Sequence, residues 1–282
     1  MDFTIATKNS GGTIRRCIES IIQNIPPANL DSVIVVDNGS SDNTLSIVDS
    51  LKKKYPGLIR IVPEPGLFGL VRYAQAANAK GEWVAIIDSD IYIYKNWWES
   101  VEPYIRRSDV GWILGSPDSF HTEPYLSYYN WQLKRLNPIA MSNAVVRRRF
   151  ILDSIDSIRS THHESEPTIY KRMRSQGYKM EFIRKSVALH EGDKDEFLYP
   201  KNMRAGQSYR MYNGLLKSLL FKLPQFVLFN LLIKPSIYFI ESRPGVLSFI
   251  SLLFIQFNIC RAFLKGLFMK AVVIDITKST YK

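Results

Sequence analysis

The sequence predicts an α/β protein with a parallel sheet in its first half, helices on both faces of that sheet, and an apolar, basic helical segment near its end. Strand and helix signals alternate over about the first hundred residues, an order that is typical of parallel strands joined by helices. The run Val33–Val36 is continuously β-branched, as expected for a strand covered on both faces. The composition then changes near residue 214, where Leu, Ile and Phe become frequent.

Four strands and three helices are predicted in the first half. Gly11 and Gly12 mark a turn after the first strand, and Asp42 is a suitable N-cap for the second helix. The predicted elements are strand Phe3–Thr7, helix Thr13–Asn24, strand Val33–Val36, helix Asp42–Lys54, strand Leu58–Val62, helix Gly69–Lys80 and strand Trp83–Ile87.

The second half has a looser pattern, which predicts an α+β region added to the first. We place a division at 95/96 and the end of this domain at residue 213. The predicted elements are helix Asn96–Arg107, strand Val110–Leu114, helix Tyr125–Leu136, strand Ile139–Val146, helix Ile169–Gln176, and strands Tyr178–Ile183 and Val187–His190.

Charge and cysteine content exclude several classes of protein. The net charge is +11, but residues 201–282 hold twelve Lys and Arg against Glu241 and Asp275, so the rest of the chain is almost neutral. A nucleic-acid binder would carry this charge on its folded domain, so we expect no nucleic-acid partner, the triplet Arg147–Arg149 notwithstanding. Two cysteines are too few for a disulfide scaffold or a Cys-based zinc cluster.

The basic, apolar segment 214–282 predicts association with a membrane surface. Its longest charge-free stretch, Pro244–Cys260, is at the short limit for a bilayer span, and Leu223–Ile233 is too short. Basic residues between apolar helices fit an interfacial hairpin on an anionic cytosolic leaflet. No secretory signal precedes the first strand, so we expect the domain at the cytoplasmic face of the cell membrane. A spanning hairpin, a buried helical subdomain and the interface of a homo-oligomer remain alternatives.

Polar side chains follow three of the predicted strands. Asp88 and Asp90 stand one residue apart after Ile87, Asp37 follows the second strand, and Thr7 to Asn9 follow the first. Ligands bind at this edge of open α/β sheets, and paired carboxylates there suit a divalent cation or a ribose. A turn or helix cap at Asp88–Asp90, and an Asx-turn at Asp37, are the alternatives.

Together these motifs resemble the inverting nucleotide-sugar glycosyltransferases of family 2. The resemblance covers roughly residues 1–200 and implies the GT-A fold with its Rossmann-like mixed sheet. The motifs occur in the family's order: Thr7-Lys8-Asn9, Val36–Asp42, Gly69 and Arg72 ahead of Ala76–Gly81, Asp88-Ser89-Asp90, Ser142–Arg148, and Ser165-Glu166 before a helix that ends at Gln176-Gly177-Tyr178.

The resemblance assigns the donor-binding residues. It implies that Thr7 and Asn9 line the donor site, that Asp37 accepts a hydrogen bond from the nucleobase, and that Arg72 approaches the base or the phosphates. Asp88 would hold the ribose or a metal-bound water. By the same resemblance, residues 1–95 form the nucleotide-sugar-binding half, and residues 96–213 form the acceptor-binding half.

The resemblance also implies a divalent cation, Mn²⁺ or Mg²⁺. Asp90 would ligate it, and His190 stands where many relatives supply a further ligand. The leaving group is a nucleoside diphosphate, whose developing charge such a cation neutralises. For His190 a capping or core role is the alternative.

The resemblance also implies that Glu166 is the catalytic base, because it aligns with the family's base when counted back from Gly177, with Ser165 in place of the usual acidic predecessor. Inversion requires such a carboxylate to deprotonate the acceptor hydroxyl. Glu164 is a competitor, and His162 and His163 are further acid/base or acceptor-contact candidates. An N-terminal helix cap is the alternative for this acidic stretch.

The resemblance implies a transferase that moves a sugar from a nucleotide sugar to a hydroxyl or phosphate acceptor. The basic, apolar segment 214–282 favours a polyprenyl phosphate or another lipid-linked acceptor, with a soluble or protein acceptor still open. Two departures blur the choice of nucleotide: Lys8 replaces an aromatic residue, and Asn38 replaces an aspartate. Two rival functions are a nucleotidyltransferase and a non-catalytic membrane scaffold. A nucleotidyltransferase would have a Gly-rich, basic phosphate-binding loop after the first strand, and Gly11-Gly12 with Arg15-Arg16 is a weak match to such a loop.

Overall fold

A computed structural model describes residues 1–119, 139–159, 165–191, 218–242 and 246–268. The chain divides into two compact units. The first, called here the sheet unit, comprises residues 1–120 and 136–191; the second, called the tail unit, comprises residues 121–135 and 192–282. A domain boundary after residue 213 stays a prediction.

Within the described residues, eight strands form one mixed sheet in the sheet unit. They are β1 (Asp2–Thr7), β2 (Ser32–Asp37), β3 (Ile59–Pro63), β4 (Trp83–Asp88), β5 (Ile91–Ile93), β6 (Val110–Ser119), β7 (Asn143–Arg147) and β8 (Lys179–His190). Their order in the sheet is β3-β2-β1-β4-β7-β6-β8-β5. The four strands from β3 to β4 are parallel, whereas β7 runs antiparallel to both of its neighbours. The mixed sheet that the resemblance implies is confirmed: the parallel strands β1 to β4 lie in the first half of the chain, and β6 and β8 form a further parallel pair in the second half.

Helices cover both faces of this sheet. In the described part of the sheet unit they are α1 (Ile14–Asn24), α2 (Thr44–Lys54), α3 (Phe68–Asn78), α4 (Trp97–Ile105), α5 (Arg148–Leu152), α6 (Ile155–Ile158) and α7 (Ser165–Ser175). In α1 the buried residues recur at helical spacing, so one face of the helix packs on the sheet.

Side-chain alternation along the strands builds two apolar cores. In β2, Val33 and Val35 join the core that also contains the buried residues of α1 and α2, whereas Ile34 and Val36 join the core that contains those of α3 and α5. Every residue of β2 is buried. The continuous β-branched run therefore reflects burial on both faces of the sheet.

The second half differs from the sequence prediction in its strands. β8 is one strand where the pattern predicts two, and its pairing with β6 shifts register between Gly115 and Pro117. The exposed Arg184 and Lys185 interrupt the apolar pattern of β8 close to this irregularity. The three-residue strand β5 is too short to give a sequence signal. The predicted helix Tyr125–Leu136 lies outside the described residues.

Two boundaries in this half also move. The strand predicted from Ile139 starts at Asn143, and the helix predicted from Ile169 starts at Ser165. The earlier start places Glu166 in the first turn of α7.

The described residues of the tail unit are helical. They comprise α8 (Leu223–Val227), α9 (Lys234–Ser242) and α10 (Val246–Phe268), with π-helical turns at Ser218–Lys222 and Leu228–Ile233. The helix Leu223–Glu241 is long and apolar enough, by length and composition alone, to cross a membrane. The charge-free stretch Leu223–Ile233 is part of this longer helix, which continues through Lys234.

Many large apolar side chains of the tail unit are exposed. In the described part of the sheet unit, Ile139 is the one comparable residue. Those of the tail unit are Leu220, Leu228, Phe229, Leu232, Ile233, Ile237, Phe239, Ile240, Ile250, Phe254, Phe257, Leu264 and Phe268. A surface of this kind marks an interaction site for a partner or a membrane.

Candidate active site

The polar ends of β1, β2 and β4 meet at one edge of the sheet. In the parallel register Thr7 lies opposite Asp37, and Ala6 lies opposite Asp88. The three segments singled out by the sequence are therefore neighbours, at the edge where α/β proteins bind ligands.

Asp37 is buried and holds the turn that follows β2. Its carboxylate accepts hydrogen bonds from the backbone N–H groups of Gly39 and Ser40, each at 3.1 Å. Gly39 has a positive φ of 74°, a conformation that glycine adopts without a steric penalty. The Asx-turn alternative thus describes these contacts, and a bond from Asp37 to a nucleobase stays a prediction.

Asn9 ties the end of β1 to the same turn. It adopts a left-handed φ of 52°, donates its backbone N–H to Ser40 Oγ at 2.9 Å, and accepts the backbone N–H of Ser41 at 2.8 Å through its side chain. Asparagine tolerates this conformation better than most residues. The hydroxyl of the neighbouring Thr7 is buried and has no hydrogen-bond partner among the described residues, whereas Lys8 is exposed.

The Asp42 carboxylate binds the backbone of the glycine turn after β1. Asp42 accepts the Gly11 backbone N–H at 3.0 Å and also hydrogen bonds from the hydroxyl and the N–H of Thr44. The bond from the Thr44 hydroxyl is the main cause of a lowered pKa for Asp42. A Cβ at Gly11 would lie 1.8 Å from Asn43 Oδ1, so a larger residue there would require the Asn43 side chain to move.

A buried arginine lies between two candidate site carboxylates. Arg72, on α3, donates from Nη2 to Asp88 Oδ1 at 3.3 Å, and its Nε lies 3.6 Å from Glu166 Oε1. Nη1 donates to Gln75 at 3.0 Å, and the guanidinium stacks on the Phe68 ring. The structure therefore brings the predicted donor residue Asp88 and the predicted base Glu166 to one cation.

Asp90 and His190 form the pair that the sequence offered as metal ligands. Asp90 Oδ2 lies 3.2 Å from His190 Nε2, with 28% and 11% of these side chains exposed. A carboxylate oxygen and an imidazole nitrogen are both donors that Mn²⁺ accepts, so this pair fits such an ion. Within the described ranges no third His, Cys, Asp or Glu joins them as a cluster.

A network that the sequence did not reveal lies beside this pair. Glu191 accepts hydrogen bonds from Tyr92 and Arg16 and donates its backbone N–H to Asp90 O at 2.9 Å. Burial and then the bond to Glu191 raise the pKa of Tyr92. Its residues come from α1, β5 and the end of β8, so it fixes the position of His190. No local pattern signals such a long-range contact.

Glu166 is the member of the acidic stretch that the structure describes. It lies in the first turn of α7, has 14% of its side chain exposed, and accepts a hydrogen bond from Ser165 Oγ at 3.0 Å. Glu164, His162 and His163 lie outside the described residues. The helix-cap alternative is compatible with the position of Glu166.

The chain is similar to known proteins over much of its length. Residues 2–183 match the family model described as glycosyl transferase family 2. A probable polypeptide N-acetylgalactosaminyltransferase 8 from Homo sapiens is 31% identical over 140 residues, 43% of this chain. A poly(ribitol-phosphate) beta-glucosyltransferase from Bacillus spizizenii is 33% identical over 95 residues, 33% of this chain. These alignments span 21% and 15% of the relatives' lengths.

A solved structure shares the fold. The mannosyltransferase of Pyrobaculum calidifontis, in complex with GDP-Man and Mn²⁺, superimposes with a TM-score of 0.65 at 14% identity, over 95% of this chain and 86% of that one. The GT-A fold predicted from the ordered motifs is thereby confirmed. Since the family model matches well over half of the residues, the chain belongs to glycosyl transferase family 2.

Proposed function

We propose that this protein is an inverting glycosyltransferase that moves a sugar from a nucleotide sugar to a hydroxyl or phosphate acceptor. The observation that carries the proposal is the meeting of Asp88 and Glu166 at Arg72. Asp37, at the end of β2, and Asp90, in the turn after β4, lie beside it. A donor-side carboxylate and a base are thus adjacent, as a displacement at the anomeric carbon requires.

The donor would lie along the edge formed by β1, β2 and β4. Asp37 and the Asn9–Ser41 contact shape the part assigned to the nucleobase, and Asp88 lies further along the same edge. The unpartnered Thr7 hydroxyl supports a polar ligand here, because buried polar atoms without a partner are rare in native structures.

Asp90 and His190 would hold a divalent cation, as Mn²⁺ is present in the complex of the Pyrobaculum mannosyltransferase. When bound, such an ion neutralises the charge that develops on the departing diphosphate. Asp90 and His190 would fix its position from the protein side. The Glu191 network beside them keeps His190 in place.

Glu166 would act as the general base. As the acceptor oxygen bonds to the anomeric carbon, the acceptor proton passes to the Glu166 carboxylate, and the anomeric bond to the diphosphate breaks with its electron pair leaving on the nucleotide. An attack opposite the leaving group inverts the configuration. Ser165 orients the carboxylate through its hydroxyl.

The tail unit supports a lipid-linked acceptor at the cytosolic face of a membrane. Its exposed apolar side chains lie on helices that also carry basic residues, among them Lys222, Arg261 and Lys265. Apolar burial together with attraction to anionic lipids is the physical basis of interfacial binding. A membrane-bound enzyme is suited to an acceptor that is itself in the membrane.

Ligand-induced thermal stabilisation tests the proposal. A nucleoside diphosphate at a hundred times its dissociation constant stabilises a protein by about 2.7 kcal/mol. We expect one member of a nucleotide panel to raise the melting temperature of the wild type with Mn²⁺ and not with chelator, and to leave Asp90→Ala unshifted. Released nucleoside diphosphate then separates sugar transfer from nucleotidyl transfer, which releases pyrophosphate.

The nucleotidyltransferase alternative is weakened by the turn after β1. The Gly11 N–H that a phosphate loop would present is already donated to Asp42, a carboxylate that repels phosphate. If no nucleotide shifts the melting temperature under any condition, the non-catalytic scaffold becomes the better description.

A further inference from the structure

The Arg72 guanidinium is enclosed by protein. Only 2% of its side chain is exposed. One edge faces Asp88, one terminal nitrogen binds Gln75, and the face of the group lies 4.5 Å from the centre of the Phe68 ring. Such a side chain has little surface left for a donor, which the sequence resemblance expected it to touch.

Arg72 joins two segments that are distant in the chain. Asp88 is the last residue of β4, and Glu166 lies in the first turn of α7. The arginine comes from α3, which contacts β1 and β2 as well as α5, α6 and α7. A single planar cation therefore links the donor-side edge of the sheet to the helix that carries the base.

The contact between Arg72 and Glu166 is slightly too long for a hydrogen bond. Arg72 Nε is buried and has no hydrogen-bond partner among the described residues, yet it lies 3.6 Å from Glu166 Oε1. The other carboxylate oxygen accepts the Ser165 hydroxyl at 3.0 Å. A small rotation of the Glu166 side chain would complete an Nε–H···Oε1 bond, which favours a carboxylate position defined by both groups.

We propose that Arg72 is a positioning residue that holds the Glu166 carboxylate in line with the acceptor and ties it to Asp88. The inference rests on the proposed function, since it assigns Arg72 a role through the base of that reaction. Arginine suits the role because its rigid fork directs several N–H groups to fixed places, which a lysine ammonium does not. Arg72 thus acts on the bond-making step without touching the donor.

A double-mutant cycle with Glu166 tests this role. In Arg72→Gln we expect kcat to fall about 100-fold, as for a reacting group displaced by about 1 Å, while the dissociation constant of the nucleoside diphosphate with Mn²⁺ rises by no more than about fivefold because Asp88 keeps its backbone position. In a Glu166→Gln background the same substitution should cost less than about threefold, because the group it positions is already inactive.

Two further variants distinguish positioning from a general loss of structure. Arg147→Gln removes another buried, ion-paired arginine, at the opposite edge of the sheet beside Glu82. It should lower the melting temperature and leave both kcat and the cycle unaffected. Arg72→Lys keeps the buried positive charge but can pair with one carboxylate at a time. Relative to Arg72→Gln, we therefore expect it to restore the melting temperature and only part of kcat.

The outcomes separate this inference from the proposed function. A wild type that transfers sugar from no nucleotide sugar overturns the function. If the wild type is active, two results overturn the positioning role and return Arg72 to direct donor contact. The first is that the losses of kcat in Arg72→Gln and Glu166→Gln multiply in the double variant. The second is that Arg72→Gln loses about 100-fold in donor affinity and keeps kcat at saturating donor. If the double variant is too slow to measure, this split between affinity and kcat decides alone.

Discussion

The sheet unit and the tail unit use apolar residues in opposite ways. In the sheet unit Ile18, Val35 and Ile86 are fully buried between helices and strands, and polar side chains occupy the strand ends. In the tail unit Tyr238, Leu252 and Ile259 form a small buried cluster, and many other large apolar side chains are exposed.

The difference separates two kinds of functional surface. A unit whose apolar residues are consumed by its own core presents function through a few placed polar groups, as at Asp88 and Glu166. A unit that exposes its apolar residues functions through its whole surface, since hydrophobic attraction is non-directional. Chemistry should therefore be lost through single polar substitutions in the sheet unit, and membrane binding through apolar and charge substitutions in the tail unit.

The largest expected effect concerns the base. Glu166→Gln should lower kcat by about 10²- to 10⁴-fold, the usual contribution of general base catalysis, while the stabilisation by nucleoside diphosphate and Mn²⁺ persists. Glu102→Gln is the matched control, because Glu102 forms a surface pair with Arg106 on α4. Steady-state transfer rates check both. An unchanged kcat in Glu166→Gln would move the base to Glu164.

The same substitution, isoleucine to alanine, should change the free energy of unfolding by different amounts in the two units. Ile18→Ala in the sheet unit should lower the free energy of unfolding by about 2–5 kcal/mol, because it leaves a cavity in a close-packed core. Ile240→Ala in the tail unit, where 72% of the side chain is exposed, should change it by about 0.5 kcal/mol or less. Urea unfolding of lipid-free protein measures both. Similar losses would mean that Ile240 is covered in solution.

Sequence patterns predicted the strand ends because their causes are local. Continuous apolar runs located β2 and β4, so the positions of Asp37 and Asp88 followed from the length of each strand. The bridge from Asp88 through Arg72 to Glu166 was not predictable, because it depends on how α3 and α7 pack against each other. The contacts of Glu191 with Tyr92 and Arg16 were missed for the same reason.

Membrane binding of the tail unit should respond to its exposed apolar residues. Phe254→Ser with Phe257→Ser should weaken partition onto liposomes by at least about tenfold, because burying one large apolar side chain contributes about 1.5–3 kcal/mol. Ile139→Ser, at the comparable exposed residue of the sheet unit, is the control. Sedimentation with vesicles measures partition.

Two results would contradict the membrane interpretation. Equal partition of the wild type and the Phe254→Ser, Phe257→Ser double variant would show that this face of α10 does not contact the lipid. Absence of liposome binding together with a concentration-dependent mass in analytical ultracentrifugation would instead assign the exposed apolar surface to a homo-oligomer.

The smallest expected effect tests whether charge contributes alongside apolar burial in the tail unit. Arg261 is exposed on α10, and a basic residue near an anionic leaflet contributes about 1 kcal/mol, or about fivefold in partition. Arg261→Gln should therefore weaken binding to anionic vesicles by about that factor and leave binding to neutral vesicles unchanged. Lys52→Gln removes the same charge from an exposed position on α2 of the sheet unit and should have no effect.

Raising the salt concentration should abolish the difference between Arg261→Gln and the wild type, because exposed charges are screened within about 8 Å at physiological ionic strength. If Lys52→Gln weakens binding as much as Arg261→Gln does, the attraction belongs to the net charge of the whole protein, and the tail unit is not its source.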